Sequence, residues 1–136
     1  WLLGVRHKMK MTKQQAISLK LAQWLGRHKP FLFDGKVVYG PDEMNLFSAP
    51  EFNPFANSTE GRAQFAECVI KAGLNGAFCI SRFMAECHID DVISVNEHDS
   101  TDGGVVATAL EAIYYAIGGA PDAWELPTNS IDSGRE

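Results

Sequence analysis

Glycine and proline cut this chain into short pieces, and that punctuation limits what it can fold into more than any other feature. Gly26, Asp34-Gly35, Gly40-Pro41, Pro50, Pro54, Gly73, Asn75-Gly76, Gly103-Gly104, Gly118-Gly119 and Pro121 fall between runs of apolar residues. Glycine takes positive φ freely, and proline lacks the amide that would continue a helix or a strand. No apolar run between these breaks approaches the roughly 18 to 20 residues that a membrane span requires, so no membrane association is expected. The chain must instead bury several short helices and strands against one another.

The pieces can be assigned by their periodicity. Thr12-Lys13-Gln14-Gln15 places a glutamine three residues after a hydroxyl N-cap, which is a capping box, and Ile17, Leu21, Trp24 and Leu25 then recur at helical spacing until Gly26. Phe31-Leu32-Phe33 and Lys36-Val37-Val38-Tyr39 flank Asp34-Gly35, a pair suited to a type I′ hairpin turn. Residues 42–55 read as a long loop with Met44, Leu46 and Phe47 as apolar anchors. A second helix is expected from Asn57 or Ser58 to Gly73, with Phe65, Ala66, Cys68, Val69 and Ala72 on its apolar side. The run 77–87 reads as one long central strand, with Cys79, Ser81, Phe83, Ala85 and Cys87 on one face, and Val92-Ile93-Ser94-Val95-Asn96 pairs back on it. A third helix, capped by Thr101 or Asp102, buries Val106, Leu110, Ile113, Tyr114 and Ile117 and ends at Gly118-Gly119. The expected class is α+β in the order α-β-β-α-β-β-α, with helices packed around a small, mainly antiparallel sheet as a sandwich.

A length of 136 residues, with 46% apolar and 21% charged residues, suits a single globular domain. Its expected extent is 11–119. Residues 120–136 are expected to form a C-terminal tail in which Trp124 and Leu126 can dock and 129–136 are polar and mobile, and residues 1–10 an N-terminal extension, with Met9 or Met11 as the natural start. Three cysteines cannot all pair within one chain, which favours a reducing compartment and a cytoplasmic location. The net charge of −5 argues against nucleic acid as a partner. Seven of the twelve basic residues lie within the first 29 positions, so the remainder is strongly acidic.

With its elements placed, the chain resembles small bacteriophage and prophage accessory proteins of the phage α-β-α sandwich and NinX-like type. The residues that carry the resemblance are L-A-Q-W-L-G at 21–26, F-N-P-F-A-N-S-T-E-G-R-A-Q-F-A-E-C-V-I at 52–70 and A-T-A-L-E-A-I-Y-Y-A-I at 107–117. They span about half of the expected domain. Phe55 and Ala56 depart from the family, which carries serine or another small residue there. The resemblance implies a sandwich fold and a phage origin, placing the protein in the cytoplasm of a bacterial host, and brings no established activity with it.

The densest chemistry lies in Glu86-Cys87-His88-Ile89-Asp90-Asp91 and in Glu97-His98-Asp99-Ser100-Thr101-Asp102. Zinc would need about four converging ligands, and these segments contain neither a C-x-x-C nor an H-x-x-x-H pair. Cys87 and His88 are adjacent on a strand and so point to opposite faces, which also argues against a thiolate–imidazole pair. A calcium loop counted with Gly103 at its sixth position ends on Ala109 where a glutamate is needed. No catalytic set, metal or cofactor is therefore expected, and binding is the expected mode of action. The first expectation is a host or phage protein as partner. The alternative is a sequestered nucleotide-like small molecule, held at a homo-oligomer interface. Candidate contact residues are Phe47 and Phe55 in the long loop, Arg62 and Arg82 as anion ligands, and Tyr115 beside the third helix's apolar stripe.

Overall fold

The computed structural model describes residues 6–40, 49–80, 84–90, 92–97, 104–125 and 127–131. The fold is α+β, with three helices and two small, mainly antiparallel sheets. Contacts gather into two compact units, Trp1–Asn53 with Asp122–Glu136, and Pro54–Pro121.

The first unit contains β1 (Arg6–Lys10), α1 (Lys13–Trp24), β2 (Phe31–Phe33), β3 (Lys36–Val38) and β7 (Pro127–Ile131). The capping box at α1 forms in full: the Gln15 amide donates to Thr12 Oγ1 at 3.1 Å, and the Thr12 amide donates to Gln15 Oε1 at 2.8 Å. Past the C-terminal end of the helix, Gly26 adopts φ +85°, where a side chain would be strained. Helix α1 buries Ala16, Ile17, Ser18, Leu21 and Ala22 and lies against β2 and β3. Asp34 (φ +55°) and Gly35 (φ +81°) both take the left-handed conformation that a type I′ turn demands, so β2 and β3 form the expected hairpin.

The chain ends of this unit behave differently from the sequence expectation. Arg6–Lys10 pairs antiparallel with Pro127–Ile131, and β7 also runs parallel to β2, giving the order β1-β7-β2-β3. What read as an extension and a tail thus becomes half of a four-stranded sheet. Phe52, unassigned in the sequence reading, is fully buried: its amide donates to the Val37 carbonyl at 2.8 Å, and the Arg27 guanidinium lies 5.4 Å from its ring centre. Arg27 also covers Tyr39 at 5.2 Å.

The second unit contains α2 (Thr59–Leu74), β4 (Gly76–Ile80), β5 (Met84–Ile89), β6 (Val92–Glu97) and α3 (Gly104–Ala116). Ser58 caps α2 by accepting from the Gly61 amide at 3.1 Å. The buried side of α2 is Gly61, Gln64, Cys68 and Ala72, whereas Ala66, expected on that side, is exposed and Phe65 and Val69 are half-buried. Helix α3 is buried nearly all round through Thr108, Ala109, Leu110, Ala112, Ile113, Tyr114 and Ala116, and the Tyr114 hydroxyl donates to the Ala120 carbonyl at 2.7 Å. The expected α3 cap at Thr101 or Asp102 lies outside the described residues.

The single long strand expected over 77–87 is in fact an antiparallel pair, β4 and β5, so three strands and not two separate α2 from α3. Periodicity could not show this, since both arms of a hairpin carry the same period-2 pattern. The sheet order is β4-β5-β6, with α3 against β5 and β6 and α2 against β4 and β5. Helices cover one face of the sheet, a two-layer arrangement. Among the described residues no helix is long and apolar enough to cross a membrane.

Candidate functional site

The candidate residues do not form a common set. Phe47 and Arg82 lie outside the described residues. Phe55 and Tyr115, expected as exposed contacts, are half-buried, and the Tyr115 ring stands edge-on to Tyr114 with centroids 5.2 Å apart. Arg62 is exposed in the first turn of α2, where its Nη2 donates to Asn57 Oδ1 at 2.5 Å, so part of its donor fork is already occupied locally.

The cysteines and histidines of the second unit are placed by strand pairing. Cys87 faces the helices and is fully buried, and loss of hydration pushes its thiol up from 9.0 to about 11. His88 points the other way and hydrogen-bonds the Glu86 carboxylate through Nε2, both side chains being half-exposed. The antiparallel pairing of β4 with β5 separates Cys79 from the face it was expected to share with Cys87. Phe78 pairs with Cys87 on the inner face, whereas Cys79 pairs with Glu86 on the outer face and is exposed. Cys79 is therefore exposed, while Cys68 and Cys87 are buried. Among the described residues no three His, Cys, Asp or Glu side chains converge to hold a metal. His98, Asp99 and Asp102 lie outside them.

The unusual feature is the outer face of this sheet. Cross-strand partners share a face, so Cys87, Ser94 and Phe78 look toward the helices, and Ala77, Cys79, Glu86, His88, Ile93 and Val95 look away. Strand β6 is inside out: Ser94 is buried at 7% exposure, while Ile93 is 65% exposed and Val95 54%. A one-residue slip of β6 would turn both aliphatics inward, but the register that pairs Ser94 with Cys87 and Ile93 with His88 holds them outward. Met84, on β5, adds to the same apolar surface, with the Glu86–His88 pair at its centre. No pattern count picks out this face, because Val-Ile-Ser-Val reads simply as a buried strand until the partner strand decides which way each residue points.

Charge completes the picture. The second unit holds nine acidic residues against three basic ones, Arg62, Lys71 and Arg82, while basic and acidic residues nearly balance in the first. The outer sheet face is thus an apolar surface carried by a strongly acidic unit. No family model matches the chain, and no curated protein or solved structure shows significant similarity to it.

Proposed function

We propose that this protein is a non-enzymatic binding protein, and that it holds a basic protein partner against the outer face of the β4-β5-β6 sheet. The observation that carries the reading is the inverted strand β6, which buries a serine and leaves an isoleucine and a valine in water. Ile93 and Val95 are 65% and 54% exposed, so covering the rest of each contributes about 1 to 2 kcal/mol, a gain the isolated chain forgoes. The acidic balance of the unit supports a cationic partner, since complementary charge steers encounter and rejects acidic competitors. A host or phage protein fits the accessory role that the family resemblance implies. Three free thiols fit the reducing cytoplasm of a bacterial host.

The test is capture from bacterial lysate with the wild-type chain and with Ile93→Lys, followed by titration of the purified, identified partner against both. The expected result is a basic protein whose affinity falls at least about tenfold on substitution, which is about 1.4 kcal/mol, and weakens further with salt. A partner bound equally well by Ile93→Lys would sink the proposal. Light scattering that shows the face closed by a second copy of the chain would do the same.

A further inference from the structure

Strand β4 is an edge of its sheet: it pairs with β5 on one side, and among the described residues nothing pairs with its other side. An edge strand presents a row of open N–H and C=O groups, and proteins that stay apart guard such edges with lysine, proline or other charged residues. The first sheet is guarded in this way, because its edge strand β1 reads Arg-His-Lys-Met-Lys. Strand β4 reads Gly-Ala-Phe-Cys-Ile, without a charge or a proline, and every residue but the half-buried Phe78 is exposed.

The apolar layer beneath this edge is open as well. Phe78 and Ile80 pair with the buried Cys87 and Ala85 and so lie on the helix side of the sheet, yet Phe78 is only half-buried and Ile80 is 40% exposed. Helix α2, which packs on β4, ends at Leu74, and that side chain is 81% exposed. On β5, one strand further in, the same face is closed over Ala85, Cys87 and Ile89. The core is thus unfinished along the strand whose backbone is also unpaired.

The residues of the strand select what covers it. A two-fold axis through Phe78 pairs β4 antiparallel with its own copy, setting Phe78 against Phe78, Ala77 against Cys79 and Gly76 against Ile80. The largest aliphatic then lies beside a residue with no side chain, and the two phenylalanines form an aromatic cross-strand pair. A strand from a basic protein would bring cations to a segment that has no carboxylate, so self-pairing fits better. We infer that β4 is a self-association edge, through which two copies of the chain join antiparallel into a six-stranded sheet. Phe78 and Ile80 then close the open side of each core. The outer faces of the two sheets become continuous, and both stay open to a partner. The acidic excess of the second unit opposes the approach of two copies, so salt tightens this contact.

The experiment is light scattering and hydrogen exchange on the full chain under reducing conditions, across a range of protein concentrations. The mass is expected to rise from one chain to two by about 100 μM, and the amides of 76–80 to gain protection as it does. Ala77→Glu and Cys79→Glu, both at exposed positions, should each weaken the association at least about tenfold, while the β5–β6 amides keep their protection and so report an intact unit. Oxidation of Ala77→Cys with diamide should give a covalent dimer whose disulfide links position 77 of one copy to Cys79 of the other. Opposed residues in antiparallel strands have Cα atoms about 4.5 to 5.5 Å apart, within the range a disulfide spans. A chain that stays monomeric up to about 1 mM overturns the inference, as does a dimer that both glutamate variants leave intact. Ile93→Lys should leave self-association unchanged, and salt should act on it in the opposite sense to its effect on a basic partner. Failure here and failure of the outer-face proposal are therefore read separately.

Discussion

Cys87 shows how a single side chain couples this fold to pH. Its thiol is fully buried, and its pKa rises from 9.0 to about 11 because the thiolate would lose its hydration. In the unfolded chain the thiol ionises near the ordinary value, so the folded state binds the proton more tightly. The resulting stability is complete below about pH 9 and is lost as pH rises through about 11. Denaturant melts of the wild type and of Cys87→Ala should therefore converge across that window, the wild type losing on the order of 2 kcal/mol more than the variant. Parallel pH profiles would refute the burial argument. The three thiols should also separate by reactivity: Cys79, exposed on the outer face, is expected to label first, with Cys68 and Cys87 following only as the second unit opens.

At the scale of elements, caps and close approaches carry the argument. Thr12 and Gln15 bond each other's backbone amides, and Gln15 Nε2 also donates to the Gly35 carbonyl at 2.7 Å, tying the start of α1 to the β2–β3 turn. Thr12→Ala should cost about 1 kcal/mol in chemical denaturation by leaving the Gln15 amide without its acceptor. Gly76 opens β4 opposite Ile89, and a Cβ there would sit on the backbone carbonyl oxygen of His88. Gly76→Ala should therefore push β4 off β5 and destabilise the second unit by about 2 to 4 kcal/mol, with amide exchange accelerating first in 76–80. The capping box and the type I′ turn were legible in the sequence because their signals lie within four residues. The β4–β5 hairpin was not, since residues 77–87 offer a continuous β-prone run whose fold-back only strand pairing reveals.

At the scale of the whole molecule, the pairing of the chain's two ends is the long-range event. Strand β7 bonds β1 on one side and β2 on the other, so it connects residues more than a hundred positions apart in the first sheet. Removing residues 127–136 should strip β1 and leave a sheet of only two strands, β2 and β3, under α1. Hydrogen exchange should then lose protection at 6–10 and 31–33, whereas the β5–β6 ladder, which contains none of the deleted residues, should keep its own. Equal loss in both sheets would contradict the division of contacts into two units.

Local chemistry in the sequence determined where α1 starts, where it stops at Gly26, how β2 turns into β3 and where Ser58 launches α2, because each depends on a few adjacent residues and their φ preferences. It also determined the class, α+β. Only the tertiary structure decided that Arg6–Lys10 and Pro127–Ile131 are strands, that Phe52 belongs to the core, and that Cys79 faces outward. The same is true of the candidate site. Whether Ile93 or Ser94 is buried depends on register against β5. A period-2 pattern says that neighbours on a strand face opposite ways, but which way is set by the partner strand and by the helices that cover one face.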